Sequence, residues 1–501
     1  MKKFNFEDLF ILDLANNHQG SVKHGSSIIQ ELGDVVAKAH VRAAIKFQFR
    51  QLDTFIHPFH QVDSTAAHIP RFLETRLSID DYQKLVELSK EHDMVTMCTP
   101  FDEESLEHID RLDFDVIKIA SCSLTDYPLL NEVAQAKKPV VISTGGATTK
   151  QIDKVAQLMM DFDVEFALEH CVSIYPTPSD RLQLNQIGIL KERYPEIPIG
   201  WSTHEDPDDT ITVQLACAKG AVLFERHVGL NTETISLNRY SSTPDQIDKW
   251  IQAYHSAKER LGSSKRGPAT IEETAALKTL SRGVFAKRDI SSDEVIARED
   301  VFFAMPTQDE GLTVSEWRSG LKAPYAIKKL DQIPNTIKSA ESSNCEIVDE
   351  IMLQVRGMLN EARIELNRSD KIEISHHYGL NRFREFGAVI IDVINREYCK
   401  KLLIQLPRQK HPYHRHERKE ETFQVLFGEL EVEKNGQPIK LCAGDTFLVE
   451  PGAWHKFSTL DGVIFEEIST THFNDDSFYE DPLIAAMARS DRKTLVTNWK
   501  L

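Results

Sequence analysis

Paired cysteines are missing from this sequence. The seven that occur (Cys98, Cys122, Cys171, Cys217, Cys345, Cys399 and Cys442) are scattered, odd in number and never spaced as Cys-x-x-Cys. That excludes a disulfide framework and a zinc ribbon, and predicts reduced thiols in the cytoplasm. Long apolar runs are also missing, none approaching the roughly 20 residues that cross a bilayer, so no membrane partner is expected. Positive charge is in deficit: 59 Lys and Arg face 77 Asp and Glu, a net charge of -18. This balance opposes nucleic acid and anionic membranes. A negatively charged substrate therefore needs a locally positive pocket. The start, Met1 to Asp8, turns acidic at once and lacks a signal-peptide cleavage pattern. What remains, 501 residues at 41% hydrophobic and 27% charged, predicts a soluble globular chain. Its length suits roughly two to four domains.

From residue 8 to about 262 the pattern alternates. Short apolar runs at 9–14, 43–49, 95–99, 116–120, 140–143, 166–170, 197–202 and 222–227 read as buried strands. Between and after them lie helical periodicities at 23–40, 79–93, 103–111, 127–136, 149–160, 184–194, 208–219 and 244–261. Apolar strands alternating with amphipathic helices imply a parallel sheet covered by helices. Eight units in about 250 residues suit a closed (β/α)8 barrel better than an open sheet. The stretch 50–78, with Phe55, His57, Pro58, Phe59 and His60, reads as an extended loop or lid after the second strand.

In such a barrel the chemistry lies at the C-terminal ends of the strands. Those ends carry Asp13, Lys46 with Gln48, Thr99 with Asp102, Lys118 with Ser121 and Ser123, Ser143 with Thr144, His170 with Ser173 and Tyr175, Ser202 with His204, and Arg226 with His227. Lys46 and Lys118 fall inside otherwise apolar strands, where an unpaired ammonium is costly. Two inward lysines suit a phosphate and a carboxylate. Two runs, Gly200-Trp201-Ser202-Thr203-His204 and Leu223-Phe224-Glu225-Arg226-His227, each stop on a histidine and close the seventh and eighth units. Their position favours a shared catalytic metal over two hydrogen-bonded structural histidines.

A resemblance follows from Asp13-Leu14-Ala15-Asn16-Asn17-His18-Gln19-Gly20, Ile45-Lys46-Phe47-Gln48, Cys98-Thr99-Pro100-Phe101-Asp102 and Lys118-Ile119-Ala120-Ser121. Ser143-Thr144-Gly145-Gly146, His170-Cys171-Val172-Ser173 with Tyr175-Pro176-Thr177-Pro178, and the two histidine runs extend it in the same order. Residues 8 to about 262 resemble the sialic acid (nonulosonate) synthase family. The resemblance implies condensation of phosphoenolpyruvate with an aldose, N-acetylmannosamine or another, to a 3-deoxy-2-ulosonic acid and phosphate. It implies Lys46, Thr99, Lys118, Ser121, Ser143, Tyr175 and Ser202 around phosphoenolpyruvate. His204 and His227 would hold a divalent metal (manganese, or magnesium or cobalt), and Asp13 would contact the sugar or position water. The aldose side departs from the family: Ser236-Leu237-Asn238-Arg239 stands where relatives read Gly-Pro-Asp-His, and Ser123 and Ile174 replace an acidic residue and an asparagine. A non-catalytic sugar-binding or regulatory protein with a degenerate barrel is the alternative.

Residues 263–280 read as a linker. Residues 281–335 form a small β-rich module that resembles the antifreeze-like (SAF) domain of these synthases, which implies a homodimer; Met305-Pro306 stands where relatives carry Arg-Pro. A helical connector, 336–371, precedes a second β-rich block, 372–475, and a tail, 476–501, of which 482–501 reads as a closing helix with a solvated basic patch of Arg489, Arg492 and Lys493. The block holds His414-Arg415-His416, Glu421, Gly428, Gly444-Asp445, Pro451-Gly452 and His455. These resemble the two cupin motifs, with His414, His416, Glu421 and His455 as ligands of a second divalent metal (manganese, iron, nickel or zinc). Two histidines one residue apart on a strand point into the same barrel. An isomerase or epimerase that makes the aldose, and a module that binds sugar or product, are both open readings of this domain.

Overall fold

The computed structural model describes residues 3–62, 66, 68–264, 266–336, 344–366 and 371–496. The chain divides into two compact units, Met1–Pro268 and Ala269–Leu501. Among the described residues no helix is long and apolar enough to cross a membrane.

The first unit is a closed barrel of eight parallel strands: β1 Leu9–Asp13, β2 Arg42–Phe49, β3 Val95–Pro100, β4 Val116–Ile119, β5 Val140–Ser143, β6 Phe166–Cys171, β7 Ile199–Thr203 and β8 Leu223–His227. β8 returns to β1, with Asp13 opposite His227. Four of the covering helices start on these side-chain caps: Ser21 before Val22–Ala39, and full capping boxes at Ser78, Thr148 and Thr243. Stretch 50–78 departs from the expected extended loop. It carries short helices at Leu52–Phe55, Pro58–Val62 and Ile69–Glu74.

Period-two alternation sorts every strand into two faces. Outward residues such as Phe10, Ile45, Ile117, Ile142 and Phe224 join the core beneath the helices. Inward residues Leu9, Ile11, Ala44, Met97, Val116, Val141, Ala167 and Leu223 fill the barrel floor. Two residues further along each strand the inward position turns polar: Asp13, Lys46, Thr99, Lys118, Ser143, Glu169, Ser202 and Glu225, all buried. In β7 the floor position is Gly200, because a Cβ there would stand 2.6 Å from Leu223 and 2.8 Å from Glu169. A continuous polar layer thus rests on an apolar floor.

In the second unit, the segment read as a linker contains an exposed helix, Ile271–Leu280. The small module pairs β9 Gly283–Ala286 with β11 Val301–Ala304, and β10 Val295–Ile296 with β12 Leu321–Lys322. It has its own core of Val284, Ile296, Val301, Leu321 and Ile333. The helix Asn344–Glu361 packs Ile351, Val355 and Leu359 on Ile372 and Ile374, so it belongs to the β block's core and is more than a connector.

That block is one eleven-stranded sheet: β13 Lys371–His376, β14 Gly387–Asn395, β15 Tyr398–Gln405, β16 His414–Arg415, β17 Glu421–Lys434, β18 Gln437–Cys442, β19 Thr446–Val449, β20 His455–Ser458, β21 Val463–Thr470, β22 Phe478–Tyr479 and β23 Lys493–Val496. Gly428 has φ +78°, and a Cβ there would sit 2.2 Å from the Gly462 carbonyl oxygen, which explains the glycine of the motif. The tail differs from expectation. Among its described residues only Pro482–Ala486 is α-helical, while β22 pairs with β16 and β23 pairs with β13.

Candidate functional site

The inward polar layer of the barrel is a network of charges. Lys46 Nζ lies 3.0 Å from Asp13 Oδ2 and 2.8 Å from Glu225 Oε1. Lys118 Nζ lies 3.2 Å from Glu169 Oε2 and 3.7 Å from Glu225 Oε2, and donates to Ser143 Oγ. Ser202 Oγ donates to Glu225 Oε1 at 2.9 Å. The two inward lysines are thus paired within the protein: three buried carboxylates surround two ammoniums. Burial opposes the Lys46 charge, but Asp13 and Glu225 outweigh it and hold the group charged. Burial likewise opposes ionisation of Glu225, yet Lys118 and Lys46 bring it down to about 2.

Glu169 is the exception. Burial, then Glu225, push it up from 4.5 to about 7 against the pull of Lys118. The folded barrel thus keeps a proton that the unfolded chain has released, so stability falls as pH rises from about 4.5 to about 7 and then levels. The isosteric Glu169→Gln variant should lose this decline. Melting temperatures at pH 5 and pH 7.5 should drop between the two for the native chain and much less for the variant; equal drops would refute the assignment.

Above this layer sit His204 and His227, ring centres 5.3 Å apart. His204 Nδ1 lies 3.1 Å from the Val172 carbonyl oxygen, a contact that fixes the tautomer and leaves Nε2 for the mouth. Burial, then the neighbouring His227, lowers His204 to about 3, and burial lowers His227, so both rings are neutral. His227 Nε2 lies 3.4 Å from Asp13 Oδ2. Two neutral imidazoles beside a carboxylate fit a divalent cation. Tyr175 packs on His204 at 4.2 Å between ring centres.

Ser121 Oγ accepts from Gly145 N at 3.0 Å, and a Cβ on Gly145 would collide with the Ser121 and Ser173 hydroxyls at 2.7 and 2.6 Å. This leaves a backbone cradle flanked by hydroxyls. Thr99 is buried with its hydroxyl unpartnered among the described residues. Two strand-end residues turn away from the site. Arg226 pairs with Glu205 at 3.0 Å, and His170 bonds the Leu182 carbonyl at 2.9 Å and stacks on Trp201.

Sequence reasoning passed over Glu169, Glu225, Tyr240 and Arg50. Tyr240 faces His227 at 5.3 Å and Tyr175 at 5.2 Å. Arg50 lies between Phe101 and Phe72, 3.5 and 4.2 Å from their ring centres, and donates to Gln48 Oε1 at 3.2 Å. In the rewritten aldose stretch, Asn238 Nδ2 donates to Asn17 Oδ1 at 3.4 Å.

The second unit brings His414, His416, Glu421 and His455 together, with candidate ligand atoms within 4.8 Å of one another and all four residues buried. Glu421 lies 3.4 Å from His416 Nε2 and 3.1 Å from His455 Nε2. Each Nδ1 faces a backbone carbonyl: Pro412 at 3.1 Å for His414, Ala453 at 3.1 Å for His455, and Asp476 for His416. That orientation aims all three Nε2 atoms at one point, as ligating histidines require. Burial, then neighbouring imidazoles, keeps His414 neutral; burial does the same for His416. The donor set fits a divalent metal. Lys419 pairs with Glu421, and lies 2.9 Å from Glu467. His411 is buried, with Nε2 3.1 Å from His377 Nε2.

Compared with known proteins, residues 35–266 match the NeuB family and residues 402–463 match the cupin domain. A Chromobacterium violaceum protein assigned as spore coat polysaccharide biosynthesis protein E is 39% identical with a TM-score of 0.64, covering 66% of this chain and 100% of that one. The N-acetylneuraminate-9-phosphate synthase of Drosophila melanogaster is 33% identical over 248 residues, 47% of this chain and 64% of that one. The N,N'-diacetyllegionaminic acid synthase of Legionella pneumophila is 24% identical over 312 residues, 59% of this chain and 85% of that one.

Proposed function

We propose, since this chain belongs to the NeuB family, that its barrel condenses phosphoenolpyruvate with a sugar aldehyde to give a 3-deoxy-2-ulosonic acid and inorganic phosphate. One observation carries the reading: all eight strands turn polar at the inward position that follows the apolar floor, and His204 and His227, two residues beyond Ser202 and Glu225, bring their ring centres within 5.3 Å of each other. Lys46, Lys118 and the hydroxyls of Thr99, Ser121, Ser143 and Ser202 hold the carboxylate and phosphate. The three carboxylates set a condition on binding: the arriving anion must displace one from its lysine or find it protonated. Glu169, at about 7, is the residue to carry that proton.

Carbon 3 of phosphoenolpyruvate attacks the aldehyde carbon, and the carbonyl oxygen takes the electron pair. His204 and His227 would hold a divalent metal, manganese, magnesium or cobalt, whose chemistry when bound would be polarisation of that oxygen. Water adds at carbon 2, and the tetrahedral intermediate breaks its bond to the phosphate oxygen. Asp13, between Lys46 and His227, is placed to orient that water or the sugar. Lysines fixed by buried partners before substrate arrives supply orientation and charge stabilisation without reorganisation. The aldose is N-acetylmannosamine-like or another, since Asn238, Arg239, Ser123 and the exposed Ile174 line or border the aldose side in place of the family's residues. The small module resembling the antifreeze-like domain supports a homodimer.

The test is phosphate release with phosphoenolpyruvate, manganese and a panel of aldoses, with products identified by mass. Release is expected only when all three are present. Release without aldose, or none with any aldose, would overturn the proposal.

A further inference from the structure

We infer that the cavity of the second unit binds an anionic sugar, either a phosphate ester or a sugar acid, whose oxyanion is held by Arg489 and Arg492 beside the His414–His416–Glu421–His455 set. The inference goes beyond the condensation reading and does not depend on it. It starts from the basic residues that the sequence suggested were solvated. The turn before β23 and the start of β23 carry Arg489, Arg492 and Lys493 into the wall of a small cavity of about 40 Å³. At about 10–15 Å³ for a water-sized group, that is room for roughly three oxygens. The wall also presents the hydroxyls of Ser375, Ser477 and Tyr479, and contains no carboxylate.

The adjoining cavity, about 70 Å³, contains His414, His416 and Glu421, and shares Ser375, Ser477, Tyr479, Arg489 and Lys493 with the small one. Tyr479 links the two, its ring 5.7 Å from that of His414 and 4.8 Å from the Arg492 guanidinium carbon. One ligand of sugar size reaches from the histidines to the arginines.

The charges in the two cavities are treated differently. Lys419 is matched by Glu421 and Glu467, Lys401 by Glu467 at 3.6 Å, and Lys493 by Glu373. Arg489 Nη1 and Arg492 Nε and Nη1 are buried and have no hydrogen-bond partner among the described residues. Buried guanidinium donors left unpaired are costly, and their fork geometry matches a phosphate or carboxylate. Burial, then Arg492 and Lys493, brings His377 down to about 3, so the ring beside the arginines is neutral. The positive charge beside that ring therefore rests on the guanidinium groups. An uncharged sugar would leave those donors unsatisfied, which is a basis for rejecting it.

The experiment titrates the full chain, loaded with manganese, with inorganic phosphate in a calorimeter, and compares it with Arg489→Gln/Arg492→Gln. The native chain is expected to show a phosphate-binding event that the variant loses or weakens at least about 10-fold. Metal content and phosphoenolpyruvate-dependent phosphate release should not change. A hexose 6-phosphate, a hexuronate and the uncharged hexose are then compared on both proteins. Weakening confined to the hexose phosphate supports the inference and marks a phosphate ester, and weakening confined to the hexuronate supports it and marks a sugar acid. Identical phosphate isotherms, or equal weakening of the uncharged hexose, would overturn it. Should the glutamine pair fail to fold, Arg489→Lys/Arg492→Lys keeps the charge without the fork; affinity unchanged from native would then overturn the inference. If the barrel does not condense any aldose, the phosphate isotherms still decide this site.

Discussion

Lys118→Met should both destabilise the barrel and end its chemistry. The ammonium is 1% exposed and lies between Glu169 and Glu225, so methionine leaves two buried carboxylates facing each other. Breaking a buried ion pair by removing one partner costs about 3–5 kcal/mol. The loss should be larger at pH 8 than at pH 5, because Glu169, already at about 7, protonates first and relieves the repulsion. Adding Glu169→Gln should recover part of the stability and little of the activity, since the lost donor also serves phosphoenolpyruvate. Turnover should fall about 10²–10³-fold, the usual effect of removing one preorganised charge-stabilising donor. Denaturant melts and phosphate release on the two variants check this. A single variant with native stability at pH 8 would mean that Lys118 is not the counter-ion described.

The second large effect concerns the metal of the second unit. Native chain should bind two divalent ions, and His414→Ala/His416→Ala only one. At free metal 100-fold above Kd, a site present only in the folded state stabilises by about 2.7 kcal/mol. Manganese or zinc should therefore raise the melting transition of the second unit in the native chain and leave it unmoved in the variant. Condensation of a preformed aldose should survive in the variant, because the barrel has its own histidines. Metal analysis giving equal content in both proteins would remove the assignment, as would loss of condensation together with metal.

Much of the barrel was readable because a parallel strand buried on both faces announces itself as an apolar run, and each of the eight expected runs became a strand. The lysines stood out for the same reason. Glu169 and Glu225 carry an equal signal, a charge inside an apolar strand, but neither is the terminal residue of its run. Counting by two from the floor residues Ala167 and Leu223 would have found both. It would also have excluded His170 and Arg226, which sit one residue out of phase. The same count from Ala44 through Lys46 and Gln48 reaches Arg50, just past the end of β2. Tyr240 was not legible, since it comes from a loop whose path no periodicity encodes. In the second unit, the resemblance to the cupin motifs pointed to the four residues that the structure brings together, and spacing alone explained only the pair His414 and His416. The tail misled because Arg489, Arg492 and Lys493 read as surface in composition, and the pairing of β23 with β13 spans 120 residues.

That long-range pairing orders events during synthesis. The barrel is closed by β8, ending at His227, and its last helix ends at Leu261. The sheet of the second unit lacks an edge, and its cavity a wall, until Lys493 has left the ribosome. At about 5–20 residues per second, Lys493 follows His227 by roughly 13 s or more. Once β13 has been made, and until β23 follows, the nascent chain carries a finished barrel and a sheet whose β13 is unpaired on one side. A chain that stops before Arg489 would keep its first unit whole and lack both arginines of the second.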